Sequence, residues 1–385
     1  MTGEVLVIGA GPAGLAVAAE LRRRGVSAEI IERSGEIGSS WRSRYDRLRL
    51  NTYRRYSTLS GDRYPPGTPA FPTRDQFVSY LEAYVKRHDL SVRFGVQVDR
   101  IDGCGDGWRV VTSAGDLTAR HVIMATGREH TPRTPAWPGL EQYQGRLLHS
   151  TEYRDPSPFR GADVLVVGAG SSGLDIAYDL AQGGAARVRV SIRSQPQVLA
   201  RMSGPVPTYI FAGLLFRVPV PLANRIIRLT RRWTVGDLSP WGLAEPAEGL
   251  YTWAARTGEH PTVVDGEVIK AIKARQFEIV SKVSSVTAGE VLLDDGTALR
   301  PDAIVAATGF TSGLEPMVGH LGVLDERGKP RSSGGPAVLP GLRFACYVAN
   351  IDNIDHDTRV VAEQVSRELA ATEPASPESM AARAI

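Results

Sequence analysis

The first strongly patterned stretch of the chain is a run of apolar residues that ends in a glycine-rich turn. Val5–Ile8 are all apolar, Gly9–Gly14 follow as Gly-Ala-Gly-Pro-Ala-Gly, and an alanine- and leucine-rich stretch continues to Arg24. Such a run predicts a buried strand, and apolar residues spaced three and four apart in the stretch that follows predict a helix. A second apolar run, Ala28–Ile31, completes a strand–turn–helix–strand unit.

The same pattern returns in the middle of the chain. Asp163–Val167 lead into Gly168–Gly173, which read Gly-Ala-Gly-Ser-Ser-Gly, and Leu174–Ala181 carry a helical pattern. A further strand is predicted over Val188–Ile192, so the order of elements matches that of the first unit. Alternating strands and helices of this kind predict an α/β fold with parallel strands.

Each glycine of the first turn has a physical task that suits a dinucleotide. Gly9 permits the tight turn, Gly11 lets the backbone approach a pyrophosphate, and Gly14 lets the helix pack closely against the strand. The helix N-terminus then points at the phosphates. Glu32, at the end of the second strand, offers a carboxylate to the hydroxyl groups of a ribose. The first unit is therefore predicted to bind a dinucleotide, the alternative being a glycine-rich turn of some other βαβ unit.

The second unit differs from the first where its second strand ends. When Ser34 and Ser194 are aligned, Ile192 takes the place of Glu32 and Arg193 follows it. An arginine without a neighbouring carboxylate suits the 2′-phosphate of NADP better than the bare ribose of NAD. The alternative is that Arg193 is a solvated cation at a strand end. The two units together predict FAD in the first and NADPH in the second.

Two apolar strands that end in Ala-Thr-Gly, Val122–Gly127 and Ile304–Gly309, add to this pattern, because such strand ends occur where the backbone passes close to a ligand. We expect the second of them to belong to the first unit. The predicted fold is α/β with two Rossmann-like GxGxxG domains, the NADPH domain being inserted into a discontinuous FAD domain. The predicted limits are 1–160 and 285–371 for the FAD domain, 161–284 for the NADPH domain, and 372–385 for a flexible tail.

Three further patterns predict elements outside the two units. An amphipathic helix with a capping box at its start is predicted over Thr73–Arg87. Trp108–Val111 and His121–Met124 are predicted to be strands of a small antiparallel insert, and Leu292–Thr297 a hairpin turn. We expect these elements to support binding rather than to take part in chemistry.

Composition argues against several classes of function. The 45 Lys plus Arg and 42 Asp plus Glu leave a net charge of +3, spread along the chain, so nucleic-acid binding is not expected. Cys104 and Cys346 lie far apart in sequence, which argues against a disulfide framework, a cysteine zinc site and a CxxC redox pair. A reducing, cytoplasmic compartment is expected. No apolar run reaches the roughly 18 residues of a transmembrane segment.

A longer motif lies directly ahead of the second glycine turn. Tyr143–Tyr153 read Tyr-Gln-Gly-Arg-Leu-Leu-His-Ser-Thr-Glu-Tyr and closely resemble the FxGxxxHxxxY fingerprint of class B flavin-containing monooxygenases. With the glycine turns and the Ala-Thr-Gly strands, the resemblance covers nearly the whole chain. Segments such as Phe71–Phe77 look closest to the branch with the plant-type indole-3-pyruvate monooxygenases. Tyr143 replaces the family's phenylalanine, which is a mild change. Ser171 replaces a frequent asparagine and Ser39 a glycine, and neither of these removes a catalytic group.

The resemblance implies an NADPH-dependent flavoprotein monooxygenase. In that family NADPH reduces FAD, O2 adds at the flavin C4a carbon to give a (hydro)peroxyflavin, and one oxygen atom passes to a small organic substrate. The expected reaction is N- or S-oxygenation, hydroxylation, or oxidative decarboxylation of a 2-oxo acid. Baeyer–Villiger oxygenation of a ketone and a non-oxygenating flavin reductase or electron carrier are the alternatives. A disulfide reductase shares both folds but needs a nearby cysteine pair.

The resemblance also implies roles for single residues. His149 of the fingerprint Tyr143, Gly145, His149 and Tyr153 is expected to hold the cofactor domains in place rather than to act as a base. Asn51 matches an active-site asparagine of some members, and a turn-forming asparagine is the alternative. Together with the motifs, the resemblance assigns cofactor contacts to Gly9, Gly11, Pro12, Ala13, Gly14, Glu32, Arg33, Ser40, Trp41, Val98, Ala125, Thr126, Gly127, Gly168, Gly170, Ser171, Ser172, Gly173, Arg193, Ser194, Thr308 and Gly309.

The remaining predictions concern metals and partners. No metal is expected, because the polar cluster Asp352–Asp357 lacks the glycine and the distal glutamate of a calcium loop. The predicted partners are a small-molecule substrate and O2, without nucleic acid, and the protein is expected to be a monomer or a homodimer. Gly204–Trp233 and Pro240–Trp253 are expected to shape the substrate's access.

Overall fold

The computed structural model describes residues 3–59, 62–347 and 354–372, which form a mixed α/β fold. The strands are β1 Gly3–Ile8, β2 Ala28–Glu32, β3 Val92–Phe94, β4 Val98–Cys104, β5 Gly107–Thr112, β6 Leu117–Met124, β7 Thr131–Pro132, β8 Arg146–His149, β9 Asp163–Val167, β10 Arg187–Ser191, β11 Val198–Ala200, β12 Met202–Ser203, β13 Val206–Pro207, β14 Thr262–Val264, β15 Glu278–Val280, β16 Val283–Val286, β17 Val291–Leu293, β18 Ala298–Leu299, β19 Ala303–Ala306, β20 Phe310–Thr311 and β21 Leu342–Phe344. The α-helices are α1 Pro12–Arg23, α2 Ser39–Arg42, α3 Arg74–Arg87, α4 Ser171–Gln182, α5 Thr208–Leu214, α6 Val220–Thr234, α7 Leu250–Thr257, α8 Gly266–Lys273, α9 Glu315–Val318 and α10 Ile354–Thr372.

The first sheet is built around β1. Its parallel strands have the order β3–β2–β1–β6, and β21 lies parallel to the far edge of β6. The antiparallel strands β5 and β4 extend it from the first residues of β6. Helices α1, α3 and α10 bury their apolar sides, for example Leu15, Phe77 and Val361, in a core on one face. The other face packs against the β4–β5 hairpin and α9.

The second sheet is built around β9. Its five strands are all parallel and have the order β15–β10–β9–β19–β8. Helices α4 and α8 cover one face, where Leu174 and Ile272 are fully buried. The antiparallel strands β16, β17 and β18 cover the other face around Ile304. Each sheet therefore has helices on one side and a small antiparallel layer on the other.

The structure confirms both predicted strand–turn–helix–strand units. Helices α1 and α4 begin within the glycine turns that the sequence singles out, and β2 and β10 follow them in parallel to β1 and β9. The predicted capped helix is α3, where the Gln76 N–H donates to Thr73 Oγ1 and the Thr73 N–H donates to Gln76 Oε1. The predicted hairpin turn joins β17 to β18.

Two strand predictions are wrong. His121–Met124 lie beside β1 in the parallel sheet, and only residues 117–119 pair with β5. The second Ala-Thr-Gly strand, β19, joins β9 and β8 in the second sheet, and it is β21 that returns to the first. By sheet membership, residues 146–149 and 303–306 belong to the second unit, unlike the predicted limits at 160 and 285. A strand that is buried on both faces reads as a plain apolar run, which does not specify its neighbours.

Two findings concern the remaining segments. No helix in the described ranges has both the length and the apolar content to cross a membrane. The tail predicted beyond residue 372, and Asp352 and Asn353 of the polar cluster, lie outside the described residues.

Candidate functional site

The first glycine turn is held by close backbone packing between two strands and a helix. Gly9 has φ of +108°, and its N–H donates to the Ile31 carbonyl at 2.8 Å. A Cβ on Gly9 would lie 2.7 Å from the Ala125 carbonyl oxygen, and one on Gly14 only 1.9 Å from the Gly9 carbonyl oxygen. Side chains have no room at either position. The turn is thus fixed by this hydrogen bond and by the lack of room for any side chain.

The residues around this turn fit the adenosine and pyrophosphate of FAD. Gly11 caps α1 without any side-chain hydrogen bond, and a Cβ there would meet open space. The first N–H groups of α1 therefore face a free volume, as an anion needs. The buried Glu32 carboxylate accepts the Ala10 N–H at 2.8 Å and the Ser34 N–H at 3.0 Å. These bonds fix the carboxylate beside the turn, where a ribose diol can reach it.

The second turn repeats this geometry. Gly168 has φ of +112°, its N–H donates to the Ser191 carbonyl at 2.9 Å, and a Cβ on Gly173 would lie 1.9 Å from the Gly168 carbonyl oxygen. Ser191 is therefore the counterpart of Ile31, so that Ile192 stands where the first unit has its carboxylate. Arg193 is exposed and, within the described residues, has no hydrogen bond or ion pair. A free guanidinium without a carboxylate beside it fits the 2′-phosphate of NADPH.

Both turns open into one cavity of about 1520 Å³. Most of the residues predicted to contact cofactor line it, as does the candidate Asn51: Gly9, Gly11, Pro12, Ala13, Glu32, Arg33, Ser40, Trp41, Asn51, Val98, Ala125, Thr126, Gly127, Gly170, Ser171, Ser172, Gly173 and Gly309. The predicted residues outside its lining are Gly14, Gly168, Arg193, Ser194 and Thr308, together with Tyr143, Gly145, His149 and Tyr153 of the fingerprint. The turn glycines among them act through packing. The continuity of the cavity brings the two glycine turns to one space.

Three fingerprint residues support the edge of the second sheet. The Tyr143 hydroxyl donates to the Pro301 carbonyl at 2.7 Å, and that of the fully buried Tyr153 donates to Asp179 Oδ2 at 2.8 Å. A Cβ on Gly145 would lie 2.9 Å from the Asp302 carbonyl oxygen. All three contacts lie within the protein. These residues therefore hold β8 in place and do not face a ligand.

His149 connects β8 to the second Ala-Thr-Gly turn. The Thr151 N–H donates to His149 Nδ1 at 3.3 Å, which leaves the ring proton on Nε2, 3.2 Å from the Gly309 carbonyl oxygen. The ring also meets Phe310 edge-on. Burial, with a smaller contribution from the positive charge of Arg44, lowers the pKa of His149. A neutral imidazole that donates to a backbone carbonyl has a positioning role.

Asn51 lies in the cavity wall on the loop that follows α2. Its Oδ1 accepts from Arg201 Nη2 at 3.1 Å, and Arg201 also pairs with Asp265 Oδ2 at 2.6 Å. Arg201 is buried, so this pair is held firmly. The amide nitrogen of Asn51 has no protein partner among the described residues. It is available to a ligand in the cavity.

The sequence did not predict a part-buried ion pair between the two units. Arg47, on the loop after α2, places Nε 3.1 Å from Asp175 Oδ1 on α4 and Nη2 3.1 Å from Glu267 Oε2 on α8. Burial raises the pKa of Asp175, against the opposing charge of Arg47. The buried Tyr45 is hydrogen-bonded to the same carboxyl. The only sign of this ion pair in the sequence is that the acidic Asp175 lies on the inward side of the predicted helix Leu174–Ala181.

The second turn has another support that the sequence did not reveal. The Val263 N–H, on β14, donates to Ser171 Oγ at 2.9 Å, and Thr262 Oγ1 donates to the Ala169 carbonyl at 3.1 Å. These bonds tie a distant strand to the glycine turn. Thr262 and Val263 also line the cavity, but no motif distinguishes them in the sequence.

The segment predicted to shape the substrate's access contributes one wall. Tyr209, Phe216 and Ala223, from α5 to α6, line the cavity, and so does Tyr251 on α7. Trp241 is not part of the lining, and its indole N–H donates to the Lys273 carbonyl at 2.8 Å. The wall is thus largely apolar and is separate from the glycine turns.

Comparisons with known proteins give a consistent picture. Residues 6–207 match the family described as pyridine nucleotide-disulphide oxidoreductase. Indole-3-pyruvate monooxygenase YUCCA1 of Oryza sativa subsp. japonica is 36% identical over 327 residues, covering 84% of this chain and 80% of that protein. A flavin-containing monooxygenase from Stenotrophomonas maltophilia has the same fold, with a TM-score of 0.73 at 24% identity over 95% of this chain and 98% of that chain. A structure of OTEMO in complex with FAD and NADP has a TM-score of 0.71 at 17% identity, covering 96% and 86% of the two chains.

Proposed function

Because the chain belongs to the pyridine nucleotide-disulphide oxidoreductase family and is a flavin monooxygenase that uses FAD and NADPH, we propose that it decarboxylates a small 2-oxo acid oxidatively. The 2-oxo acid and O2 would be converted, with NADPH and a proton, to the shortened carboxylate, CO2, water and NADP⁺. One oxygen atom of O2 enters the new carboxylate and the other leaves as water. When bound, FAD supplies the carbon at which O2 is activated, and NADPH supplies the hydride.

The observation that carries the proposal is the single cavity that reaches both glycine turns. We propose that the two units are two Rossmann-like dinucleotide-binding domains, the first for FAD and the second for NADPH. In the first, Glu32 would hold the adenosine ribose, and the N–H groups that begin α1 would hold the pyrophosphate. In the second, Arg193 would hold the 2′-phosphate. The open volume between the turns is where hydride donor and acceptor can meet.

The rest of the cavity suits a substrate with an apolar body and one negative charge. The wall formed by α5, α6 and α7 is largely apolar, and an apolar wall disfavours water beside the reacting groups, which favours oxygen transfer over the loss of reactive species. Arg49 lines the cavity two residues before Asn51, and its guanidinium has no hydrogen bond or ion pair within the described residues. We propose that Arg49 binds the carboxylate of the 2-oxo acid. The 31–36% identity to indole-3-pyruvate monooxygenases supports this class of substrate.

The proposal is tested with the FAD-loaded protein, a panel of aromatic and aliphatic 2-oxo acids, and a neutral sulfide of similar size. We expect NADPH oxidation in step with CO2 release, and one ¹⁸O atom from ¹⁸O2 in the product carboxylate. Arg49→Ala should raise the KM for the 2-oxo acid about tenfold or more, the loss of one charge-assisted pair, and leave that for the sulfide nearly unchanged.

Two results would contradict the proposal. Turnover of the sulfide with no turnover of any 2-oxo acid would assign the enzyme to heteroatom oxygenation. NADPH oxidation that yields only hydrogen peroxide with every substrate would assign it to the non-oxygenating flavin reductases.

The cysteines argue against disulfide reduction as the activity. Cys346 lines the cavity, but burial raises the pKa of its thiol, so that it stays protonated. Cys104 is exposed at the end of β4, outside the cavity lining. A disulfide reductase of this fold works through a thiolate beside the flavin, which neither residue provides.

A further inference from the structure

An apolar surface lies beside the mouth of the cavity, on the segment from α5 to the end of α6. Trp233 is 90% exposed, Phe216 73% and Leu214 58%. Val220, Leu222 and Leu229 are exposed on the same segment. We call residues 214–233 the arginine-rich apolar surface. Single exposed apolar side chains are common on proteins, but a group of this size marks an interaction site.

Helix α6 is apolar on two sides. Ala223 and Ile227 face inward to a core cluster with Leu199 and Leu250. Leu222, Leu229 and Trp233 recur at helical spacing on the opposite side and face solvent. Packing within the protein therefore explains only one of the two apolar stripes. The outer stripe needs a second contact.

The charges on this segment have a single sign. Residues 202–236 contain five arginines and no Asp, Glu or Lys. Arg231 is buried and pairs with Glu245, which also lies 3.4 Å from Arg228. Arg217, Arg225 and Arg232 are exposed and have no ion pair or hydrogen bond within the described residues. Cations that flank the outer apolar stripe thus remain uncompensated.

From these observations we propose that the arginine-rich apolar surface docks on an anionic lipid bilayer. An amphipathic helix with apolar and aromatic residues on its free face and arginines beside them is the sequence form that lies in a membrane interface. Tryptophan is enriched at the membrane–water interface. Each arginine near the surface gains binding free energy from the negative potential of anionic lipids. A protein partner with an acidic surface would compensate the charges of the arginines. It would not supply the fluid apolar layer into which the separately exposed side chains of Trp233 and Phe216 can insert.

The position of the cavity agrees with this orientation. Phe216 and Val220 are exposed on the surface, and both also line the cavity. The Phe216 ring meets Tyr251 edge-on, with 5.1 Å between ring centroids, inside the cavity wall. The cavity therefore reaches the protein surface beside the docking stripe.

The experiment measures co-sedimentation of the FAD-loaded protein with sonicated vesicles. One set contains phosphatidylcholine and phosphatidylglycerol in equal parts, and the other only phosphatidylcholine. We expect binding to the first set at low salt, weaker binding at high salt because the charges are screened, and little binding to the second. The fluorescence of Trp233 should shift to the blue on binding, since the indole leaves water.

Two variants test the apolar stripe and the arginines separately. Leu222→Ser with Leu229→Ser and Trp233→Ser removes the apolar stripe and should abolish binding to both vesicle sets. Arg217→Ala with Arg225→Ala and Arg232→Ala should weaken binding to the anionic vesicles about fivefold for each arginine removed. The matched controls Phe94→Ser with Leu292→Ser, and Arg187→Ala with Arg300→Ala, change exposed residues elsewhere and should bind as the parent does. Retained FAD absorbance and an unchanged unfolding temperature show that each variant is folded.

Several outcomes would overturn the proposal. They are the absence of binding to anionic vesicles at low salt, or equal loss of binding in the control variants. A stable dimer in light scattering that dissociates in the Leu222/Leu229/Trp233 variant, without vesicle binding by the parent, would assign the surface to a second copy of the chain.

Discussion

The two βαβ units have the same strand order and differ at the end of their second strand, β2 in the first and β10 in the second. Their parallel strands follow the same order, β3–β2–β1–β6–β21 in the first and β15–β10–β9–β19–β8 in the second. In both, the strand that ends in Ala-Thr-Gly lies next to the strand that leads into the glycine turn, and its alanine carbonyl closes over that turn. At the equivalent strand ends the first unit has Glu32 where the second has Ile192, and an arginine follows in both, Arg33 and Arg193. On the proposed assignment, backbone sterics form both dinucleotide sites, and the residue at one strand end decides which dinucleotide each site takes.

The largest difference between the two units is expected when one methyl group is added to each glycine turn. Gly14→Ala and Gly173→Ala both place a Cβ 1.9 Å from a backbone oxygen, so each costs about 1–3 kcal/mol or more in strain. We expect Gly14→Ala to purify without FAD and to unfold at a lower temperature. Gly173→Ala should keep FAD but lose most of its reduction by NADPH.

The control is Gly289→Ala, where the added methyl meets nothing within 4 Å. It should leave both FAD content and NADPH reduction unchanged. Loss of FAD from Gly173→Ala alone would show that the units are assigned in the wrong order.

The next largest effect concerns the carboxylate of the first unit. Glu32→Gln removes the charge that accepts two backbone N–H groups and would accept a ribose diol, so FAD should bind about 10- to 100-fold more weakly. The dissociation constant is read from flavin fluorescence during titration of the apoprotein. Glu36→Gln, an exposed carboxylate nearby, is the control. NADPH affinity should change in neither variant, and a selective loss there would contradict the assignment.

The second unit can be converted towards the first. Arg193→Ala should raise the KM for NADPH about tenfold or more and leave that for NADH nearly constant, because only NADPH carries the 2′-phosphate. Adding Ile192→Glu should then lower the KM for NADH, since the carboxylate now meets a free ribose diol. Steady-state kinetics with both nucleotides measure the change. Arg187→Ala, at the start of β10, is the control. Equal effects of Arg193→Ala on both nucleotides would defeat the assignment.

The smallest expected effect is on the pH dependence of stability, to which only the second unit contributes through a histidine at its Ala-Thr-Gly turn. The first Ala-Thr-Gly turn is held by Tyr347, whose hydroxyl accepts the Thr126 N–H, whereas the second is held by His149. Burial lowers the pKa of His149 in the folded state, so its contribution to stability is complete above the unfolded value near 6.5 and is lost as the pH falls through the folded value. His149→Gln should therefore make stability fall less as the pH is lowered from about 7.5 to about 5.5.

Urea unfolding at a series of pH values measures this difference. His320→Gln replaces a more exposed histidine that pairs with Asp102 and serves as the control. An identical pH dependence of the parent and His149→Gln would show that His149 does not titrate in this range.

Both glycine turns and their helices could be predicted because the requirement is local: a turn without room for Cβ admits only glycine. Glu32 and Arg193 could be proposed because they lie at a fixed distance from those turns. The place of β19 could not, since a strand buried on both faces has no polar residue to indicate its neighbours. The same holds for Arg47 and Asp175, which lie far apart in sequence and are ordinary charged residues until the fold pairs them.

That ion pair has a mechanical consequence. Arg47 lies on the loop after α2, in the first unit, and forms ion pairs with two helices of the second unit. Rotation of one unit against the other would therefore have to separate a part-buried guanidinium from its carboxylates. The pair with the largely buried Asp175 opposes such a motion, because separation would leave that carboxylate without its cation in a poorly hydrated place. The salt bridge to the exposed Glu267 adds little. Relative motion of the two units is therefore restrained at this contact.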